Sequence, residues 1–225
     1  MILKENDYGC EEKTVTANLR YSPVSFLSEP AQTGIHDGWK VVLKYSDEGN
    51  GPFLIDLSHR NRWDVQDAHL SKFQPGEVAI SENPGQCTFQ KGLLINRMNP
   101  TQAAVWHLMG DRPDKIQGTA YTDITEGSAC LALVGSAPCV FSIMEKVTSL
   151  DLLFPGIEPP FLVQGPVSHV PCQVVVLQRE EKESAVIFTC SRGYGMSMAQ
   201  ALLDAGAEYD LRPAGETAFS NWIEK

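Results

Sequence analysis

The chain has 225 residues, 43% of them hydrophobic and 20% charged, which is typical of a globular protein with a sizeable core. Its formal net charge of −10 disfavours nucleic acid as a partner, and no cluster of Lys and Arg offsets that field. No apolar stretch is long enough for a membrane span, and the N-terminus lacks the apolar core of a signal peptide. We therefore expect a cytoplasmic protein whose six cysteines are buried free thiols.

The first half of the chain predicts mostly β-structure after an irregular start. Residues 1–38 are polar and predict an arm that lies on the domain or on a partner. Two apolar runs, 39–45 and 53–57, flank a Gly- and Pro-rich turn and predict a β-hairpin. A short helix is predicted over 64–73. The apolar runs on either side of 99–101 predict a second hairpin.

The second half alternates strands and helices. A buried strand is predicted over 130–134, followed by a helix with Ser136 near its cap and Pro138 in its first turn. Strands over 172–177 and 185–190 flank a charged tip, and a last helix is predicted over 196–208. The order strand, helix, strand, strand, helix is that of a ferredoxin-like split βαβ unit.

One pattern occurs twice and organises the prediction of the whole fold. An acid followed two positions later by a hydroxyl residue closes an apolar run at Asp56-Leu57-Ser58, and recurs at Asp123-Ile124-Thr125. The two copies lie too far apart for a solenoid repeat but suit two copies of one lobe. We expect an α+β fold of two ferredoxin-like lobes, about 39–119 and 120–215, with a C-terminal tail over 216–225.

Several residues have chemical potential, each with a simpler interpretation. Asp56, Ser58 and His59 are the residue types of a hydrolase triad, but neighbours in one strand point to opposite faces. We favour the interpretation that Asp56 and Ser58 satisfy backbone groups at a strand end. His169 and Cys172 lack convergent partners for a metal site.

Two further segments are candidates for binding. The loop of residues 191–195 has two glycines and precedes a helix, so it either binds a ligand or is a tight turn with Arg192 exposed. Phe219 and Trp222, three residues apart in the predicted tail, suit docking onto a partner protein.

These motifs resemble the glycine cleavage T-protein superfamily. Residues 56–59, Asp-Leu-Ser-His, are similar to that family's Asp-x-Ser-His entry, and 123–135 are similar to the start of its second lobe. The Asn-Pro-Thr turn at 99–101 and the Ser-Arg pair at 191–192 are similar to turns of the γ subunit of heterotetrameric sarcosine oxidase. The resemblance covers about residues 39–215 and implies the folate-binding-domain fold without the C-terminal barrel of full T-proteins.

The departures from the family decide the functional expectation. T-proteins carry paired acids after a Gly-Gly in the first-lobe hairpin, and one of these acids is used with folate. The comparable positions here are Ile95 and Asn96, which cannot accept a proton as a carboxylate does. The resemblance therefore implies a subunit without catalytic residues of its own, in a complex with flavin- and folate-handling chains.

An alternative implied by the same resemblance is a folate-binding aminomethyltransferase-like protein with its own ligand pocket. Tetrahydrofolate would be the cofactor, and Arg97, Arg192 and Tyr194 are the candidate ligand-binding residues. No metal, nucleic acid or membrane is expected to take part in either case.

Overall fold

The computed structural model describes residues 19–110, 116 and 118–225. Within them the chain forms three sheets and three α-helices, which is an α+β architecture. The strands are β1 (Arg20–Tyr21), β2 (Pro30–His36), β3 (Trp39–Tyr45), β4 (Phe53–Asp56), β5 (Arg62–Gln66), β6 (Cys87–Gln90), β7 (Leu93–Asn99), β8 (Gln102–His107), β9 (Tyr121–Asp123), β10 (Ser128–Gly135), β11 (Phe161–Val167), β12 (Val170–Arg179), β13 (Ser184–Ser191) and β14 (Arg212–Ala214). The helices are α1 (Ala137–Val147), α2 (Gly195–Gly206) and α3 (Glu216–Ile223).

The strands divide into an N-terminal, a central and an outer sheet. The N-terminal sheet has the order β1-β3-β2, the central sheet β11-β12-β13-β10-β4-β14, and the outer sheet β6-β7-β8-β5-β9. Short 3₁₀ turns connect the elements at Leu70–Lys72, Pro75–Glu77, Thr125–Gly127, Arg192–Tyr194 and Ala207–Tyr209. Among the described residues no helix is both long and apolar enough to cross a bilayer.

The central sheet is buried on both faces. Successive side chains of a strand point to opposite faces, so Leu131 and Leu133 of β10 pack under α1 and α2, while Cys130 and Ala132 face the outer sheet. This explains the unbroken apolar run of β10 in the sequence. The far face of the outer sheet is covered by the segment that follows β5, through Leu70, Val78 and Ile80.

The two predicted helices of the second half are confirmed. Ser136 is the N-cap residue of α1 and Pro138 lies in its first turn, where a missing N–H costs nothing. Ala199 and Leu202 of α2 face the core, and Gly206 ends the helix. A Cβ on Gly206 would lie 2.5 Å from Leu211, so only glycine lets the chain turn back here. The hairpins β7–β8 and β12–β13 are also confirmed.

The predicted hairpin of 39–45 with 53–57 is wrong. β3 pairs with β1 and β2, whereas β4 lies between β10 and β14 in the central sheet. The β2–β3 turn is made by Asp37 and Gly38, with φ of 49° and 78°. An Asp-Gly pair with both φ values positive is the favoured two-residue hairpin turn, and it decides which strand β3 joins.

The helix predicted over 64–73 is also wrong. Residues 62–66 form β5, whose Trp63 and Val65 alternate into the outer core. Asp67 then turns the chain, because its Oδ1 accepts the N–H of His69 at 2.7 Å. The apolar spacing that suggested a helix is too sparse, since Ala68 is exposed. Among the described residues, the first predicted lobe contains no α-helix.

The C-terminal segment was predicted as a tail for partner docking, but it forms the helix α3. Phe219 is completely buried in the core between the central and outer sheets, and Trp222 packs against the same core. Glu216 anchors the start of the helix through a buried ion pair with Arg60. Gly215 lets this helix approach β3, since a Cβ there would meet the Leu43 carbonyl oxygen at 2.2 Å.

The predicted lobes exchange strands in the structure. β4 belongs to the first predicted lobe but lies in the central sheet, and β9 belongs to the second but pairs with β5 in the outer sheet. Residues 30–36 of the predicted arm form β2, so the described part of the arm joins a sheet with β3. Residues 1–18 of the arm lie outside the described residues.

Candidate functional site

Both copies of the repeated acid–hydroxyl pattern form the same turn. In the first copy, Asp56 Oδ1 accepts the backbone N–H of Ser58 at 2.9 Å. In the second copy, Asp123 Oδ1 accepts the N–H of Thr125, also at 2.9 Å. These are Asx turns, in which the carboxylate replaces a backbone carbonyl. The interpretation that Asp56 satisfies a backbone group at the strand end is therefore confirmed.

Each turn is also hydrogen-bonded to a residue of the strand that follows the other turn, which is Cys130 of β10 for the first turn and Arg62 of β5 for the second. Ser58 Oγ accepts the N–H of Cys130 at 3.1 Å, and the Leu57 N–H donates to the Cys130 carbonyl at 2.9 Å. The second turn repeats both bonds with Arg62 as the partner residue.

There the Arg62 N–H donates to Thr125 Oγ1 at 2.9 Å, and the Ile124 N–H donates to the Arg62 carbonyl at 2.9 Å. Acid, middle residue and hydroxyl thus play the same three roles in both turns. The two Asx turns and their partner residues, which we call the exchange site, are related by an approximate two-fold repetition.

The Arg62 guanidinium occupies the middle of the exchange site. Its nitrogens lie 2.7–3.3 Å from five backbone carbonyls and one hydroxyl, those of Leu57, Ser58, Arg60, Thr125 and Ser128 and the Ser128 Oγ. The residue is 1% exposed, and burial lowers its pKa from the ordinary value. Carbonyl dipoles from both turns therefore stabilise one buried cation.

A cavity of about 250 Å³ lies on the other side of the first turn, beneath the N-terminal sheet. Asp56 and His59 line it together with Tyr45 and Lys40 of β3. The Nε2 atom of His59 is buried and has no hydrogen-bond partner among the described residues. The ring of His36 approaches the His59 ring edge-on, with 5.8 Å between centroids.

Burial dominates the electrostatics of this cavity. It raises the pKa of Asp56, against hydrogen bonds from Ser22 and Ser58. It lowers the pKa of His59 well below its usual value, and the neighbouring positive charge of Arg60 acts in the same direction. Burial followed by the negative charge of Asp56 raises the pKa of Tyr45. At neutral pH the cavity thus presents an uncharged imidazole and an uncharged phenol beside the carboxyl group of Asp56.

This arrangement does not form a hydrolase triad. Ser58 is completely buried, and its hydroxyl oxygen is held by the Cys130 N–H on the side of the exchange site. Within residues 19–110, 116 and 118–225, no three His, Cys, Asp or Glu side chains converge as metal ligands do. The polar side chains that the cavity offers to a ligand are those of Asp56, His59 and Lys40.

The three predicted ligand-binding residues lie in two different places. Arg97 is on β7, and its guanidinium donates to the Pro100 carbonyl of its own hairpin turn at 2.6 Å. Arg192 and Tyr194 share the 3₁₀ turn before α2, where Tyr194 is half-exposed. Arg192 and Tyr194 therefore lie in one turn, and among the described residues no contact links either of them to Arg97.

Arg192 is held by other parts of the protein. Its guanidinium donates to the carbonyls of Tyr21, at 2.8 Å, and Glu126, at 3.4 Å. It also lies over the ring of Trp39, 5.8 Å from the centroid. Arg20 lies over the same ring and pairs with the Glu126 carboxylate. Arg192 therefore fastens the N-terminal sheet to the region of the second Asx turn.

Ile95 and Asn96, the residues predicted to stand where T-proteins carry paired acids, are enclosed. Ile95 faces the outer core, while Asn96 faces the core between the outer and central sheets. Asn96 is completely buried between its cross-strand neighbours Cys87 and Ala104. Neither polar atom of its side chain has a hydrogen-bond partner among the described residues. A neutral amide costs less in such a place than an unpaired carboxylate would.

The sequence prediction missed the residues that hold the exchange site together. No local sequence motif marks Arg62, Arg60 or Glu216. Their roles follow only from contacts between distant segments, such as the bond from Arg62 to the Thr125 carbonyl and the ion pair of Arg60 with Glu216. The one available signal was a charged residue, Arg62, at the start of an alternating apolar strand. Comparisons with protein-family models and with curated proteins found no match to this chain.

Proposed function

We propose that this chain is a non-catalytic subunit of a multichain complex in amine or one-carbon metabolism, with a T-protein-like fold similar to the γ subunit of heterotetrameric sarcosine oxidase. The exchange site is the observation that carries the proposal. Two turns with the same residue types make the same backbone bonds to each other's following segments. Such repetition supports two lobes derived from one ancestor.

The order of elements in the second lobe supports a ferredoxin-like unit. β10, α1, β12, β13, α2 and β14 follow one another in the β-α-β-β-α-β order, with β11 added at the sheet edge. Both helices pack on one face of the central sheet, as such a unit requires. β4 from the first lobe separates β10 from β14. The first lobe is then a reduced copy whose described residues form strands and 3₁₀ turns.

The absence of catalysis is inferred from Ile95 and Asn96. Both residues are completely buried, so neither is available to a substrate in the structure described. A buried amide without partners cannot act as a general base. The inference fits a chain that keeps the fold of an enzyme family while another chain performs the reaction.

A role as a subunit is supported by an exposed apolar patch in the loop before β11. Leu153, Phe154 and Ile157 are 47%, 50% and 42% exposed and lie within five residues of one another. Arg179 holds the loop in shape by donating to the carbonyls of Phe154 and Ile157. Exposed apolar residues clustered in a fixed loop are typical of a protein–protein contact.

Co-expression with the products of the neighbouring genes tests the proposal, which expects a flavoprotein and a small zinc-binding chain among them. We expect one complex of constant stoichiometry on gel filtration, carrying flavin absorbance. Phe154→Asp should release this chain from the complex, whereas Leu27→Asp, which changes an exposed apolar residue of another segment, should not. The proposal is refuted if the isolated protein transfers a methyl-derived carbon from an N-methylated glycine to tetrahydrofolate.

The folate-binding alternative has its own test. Gln173 Oε1 is buried without a hydrogen-bond partner among the described residues, which leaves an acceptor for a ligand that donates hydrogen bonds. Calorimetry with tetrahydrofolate would then show saturable binding, weakened by Arg192→Ala but unchanged by Arg212→Ala at an exposed position. Circular dichroism of both variants separates lost binding from lost folding. The absence of heat at millimolar folate would end this alternative.

A further inference from the structure

Two cysteines lie directly opposite each other on neighbouring antiparallel strands. Gln173 of β12 pairs with Thr189 of β13, so the next pair along the two strands is Cys172 and Cys190. Both side chains point to the core under α1 and α2, and both residues are free thiols. Facing residues of antiparallel strands have Cα atoms about 4.5–5.5 Å apart, within the range that a disulfide spans.

The pair lies at the end of the sheet rather than in its closed interior. A cleft of about 520 Å³ is lined by both cysteines and by Gln173 and Thr189. Cys172 retains 6% exposure and Cys190 retains 5%. This exposure gives a small reagent access to the pair from the cleft.

The two thiols differ in acidity because they contact each other. The hydrogen bond from the Cys190 thiol outweighs burial and lowers the pKa of Cys172, while the same contact raises that of Cys190. Burial raises the pKa of Cys87 to about 12 and that of Cys130 to about 11. Among these four cysteines, Cys172 is therefore the one most readily present as the reactive thiolate.

We propose that Cys172 and Cys190 form a peroxide-sensitive dithiol site that closes reversibly to a cross-strand disulfide. The Cys172 thiolate attacks one peroxide oxygen, the O–O bond breaks, and Cys172 becomes a sulfenic acid while hydroxide leaves and takes up a proton. The Cys190 sulfur then attacks the sulfur of Cys172, and water leaves with the Cys190 proton. Two thiols lose two electrons in total, and one peroxide is reduced to two waters.

Intact-mass measurement after treatment with equimolar hydrogen peroxide tests the site. We expect the protein to lose the mass of two hydrogen atoms and to regain it with dithiothreitol. Trypsin cuts between the two cysteines, after Arg179 and Lys182, so without reductant the two peptides should remain joined. The thermal midpoint of unfolding should rise on oxidation and fall back on reduction, because the bond restricts the unfolded chain.

Single variants separate the two roles. Cys190→Ser should stop the reaction at the sulfenic acid, which dimedone would trap on Cys172. Cys172→Ser should leave Cys190 unlabelled, and Cys87→Ser should behave as the unaltered protein. The inference is overturned if peroxide oxidises other cysteines while Cys172 and Cys190 remain free thiols, or if Cys190→Ser yields no adduct at Cys172. These readouts do not depend on any partner chain, so they stand apart from the proposed subunit role.

Discussion

Arg62 shows how much of this fold depends on one side chain. Five carbonyls around its guanidinium come from segments on both sides of the two-fold repetition. A carbonyl that loses a buried donor keeps its desolvation cost, which exceeds the net gain of the original bond. Arg62 therefore stabilises the protein chiefly because it supplies hydrogen-bond donors to buried carbonyls that would otherwise have none.

Replacing Arg62 with methionine should lower the free energy of unfolding by about 3–5 kcal/mol, the cost of removing one partner from a buried charged network. Urea denaturation followed by tryptophan fluorescence measures the change. Arg212→Met, at an exposed position, is the control and should change stability by less than about 0.5 kcal/mol. A loss below about 1 kcal/mol for Arg62→Met would contradict the role assigned to the guanidinium.

His59 should give the stability of the protein a dependence on pH. Burial, then Arg60 and His36, keep its pKa well below the value of about 6.5 that it has in an unfolded chain. Below about pH 6.5 the unfolded state therefore binds more protons than the folded state, and stability falls as the pH falls. The slope for one such group is at most about 1.4 kcal/mol per pH unit.

Urea unfolding between pH 7 and 5 tests this expectation. His59→Gln should flatten the profile because the amide does not titrate. His69→Gln removes an exposed histidine and should leave the slope as it is. Equal slopes for His59→Gln and the unaltered protein would refute the assignment.

At the scale of elements, the helix α3 gives the C-terminal apolar residues a place in the core and not at a partner interface. The apolar pair Phe219 and Trp222 was predicted to meet a partner, but the helix turns both toward the core of its own chain. Glu216 fixes this orientation through Arg60, which lies two residues after the first Asx turn. The helix thus closes one end of the interface between the central and outer sheets.

Truncating Phe219 to alanine should cost about 3–5 kcal/mol of unfolding free energy, as expected for a fully buried phenylalanine. Thr217→Ala, on the exposed side of the same helix, should have an effect within about 0.5 kcal/mol. Chemical denaturation of the isolated protein measures both. A stable Phe219→Ala variant that fails only in complex formation would restore the docking interpretation.

At the scale of the molecule, the exchange of β4 and β9 makes the two predicted lobes interdependent. β4 lies between β10 and β14, so the second lobe alone would have an open gap in its central sheet. Hydrogen bonds of the two Asx turns also join the two predicted lobes, and the Arg62 guanidinium donates to carbonyls of both turns. Cooperative unfolding of the whole chain follows from this arrangement.

A fragment of residues 120–225 should therefore be unfolded or aggregated when produced alone. Co-expression with residues 1–119 should restore a soluble heterodimer, because β4 and Arg62 are then supplied in trans. Gel filtration and far-ultraviolet circular dichroism distinguish these outcomes. A monomeric, cooperatively unfolding 120–225 fragment would show that the lobes are independent.

The local sequence was sufficient to predict a helix or hairpin where its hydrophobic periodicity and its capping or turn residues indicate the same element. The helix after Ser136, the helix before Gly206 and the β7–β8 hairpin were predictable because their caps, turns and apolar faces lie within one short segment. The Asp37-Gly38 turn is also a local signal, for the β2–β3 hairpin, and the three-residue spacing of Phe219 and Trp222 fits one face of a helix as well as a docking pair. The strand β5 was missed because Val65, Ala68 and Leu70 fit the apolar face of a helix, which led to the helix predicted over 64–73.

The sequence by itself determined that two acid–hydroxyl patterns exist and that each ends an apolar run. Only the tertiary structure decided that β4 leaves β3 for the central sheet and that Arg62 and Cys130 receive the bonds of the opposite turn. The physical reason is that backbone donors and acceptors at strand ends must be satisfied, whereas a single segment does not specify by which distant residue. Strand partners and buried charges are settled by the whole fold, because burial on both faces and hydrogen bonding must be satisfied together.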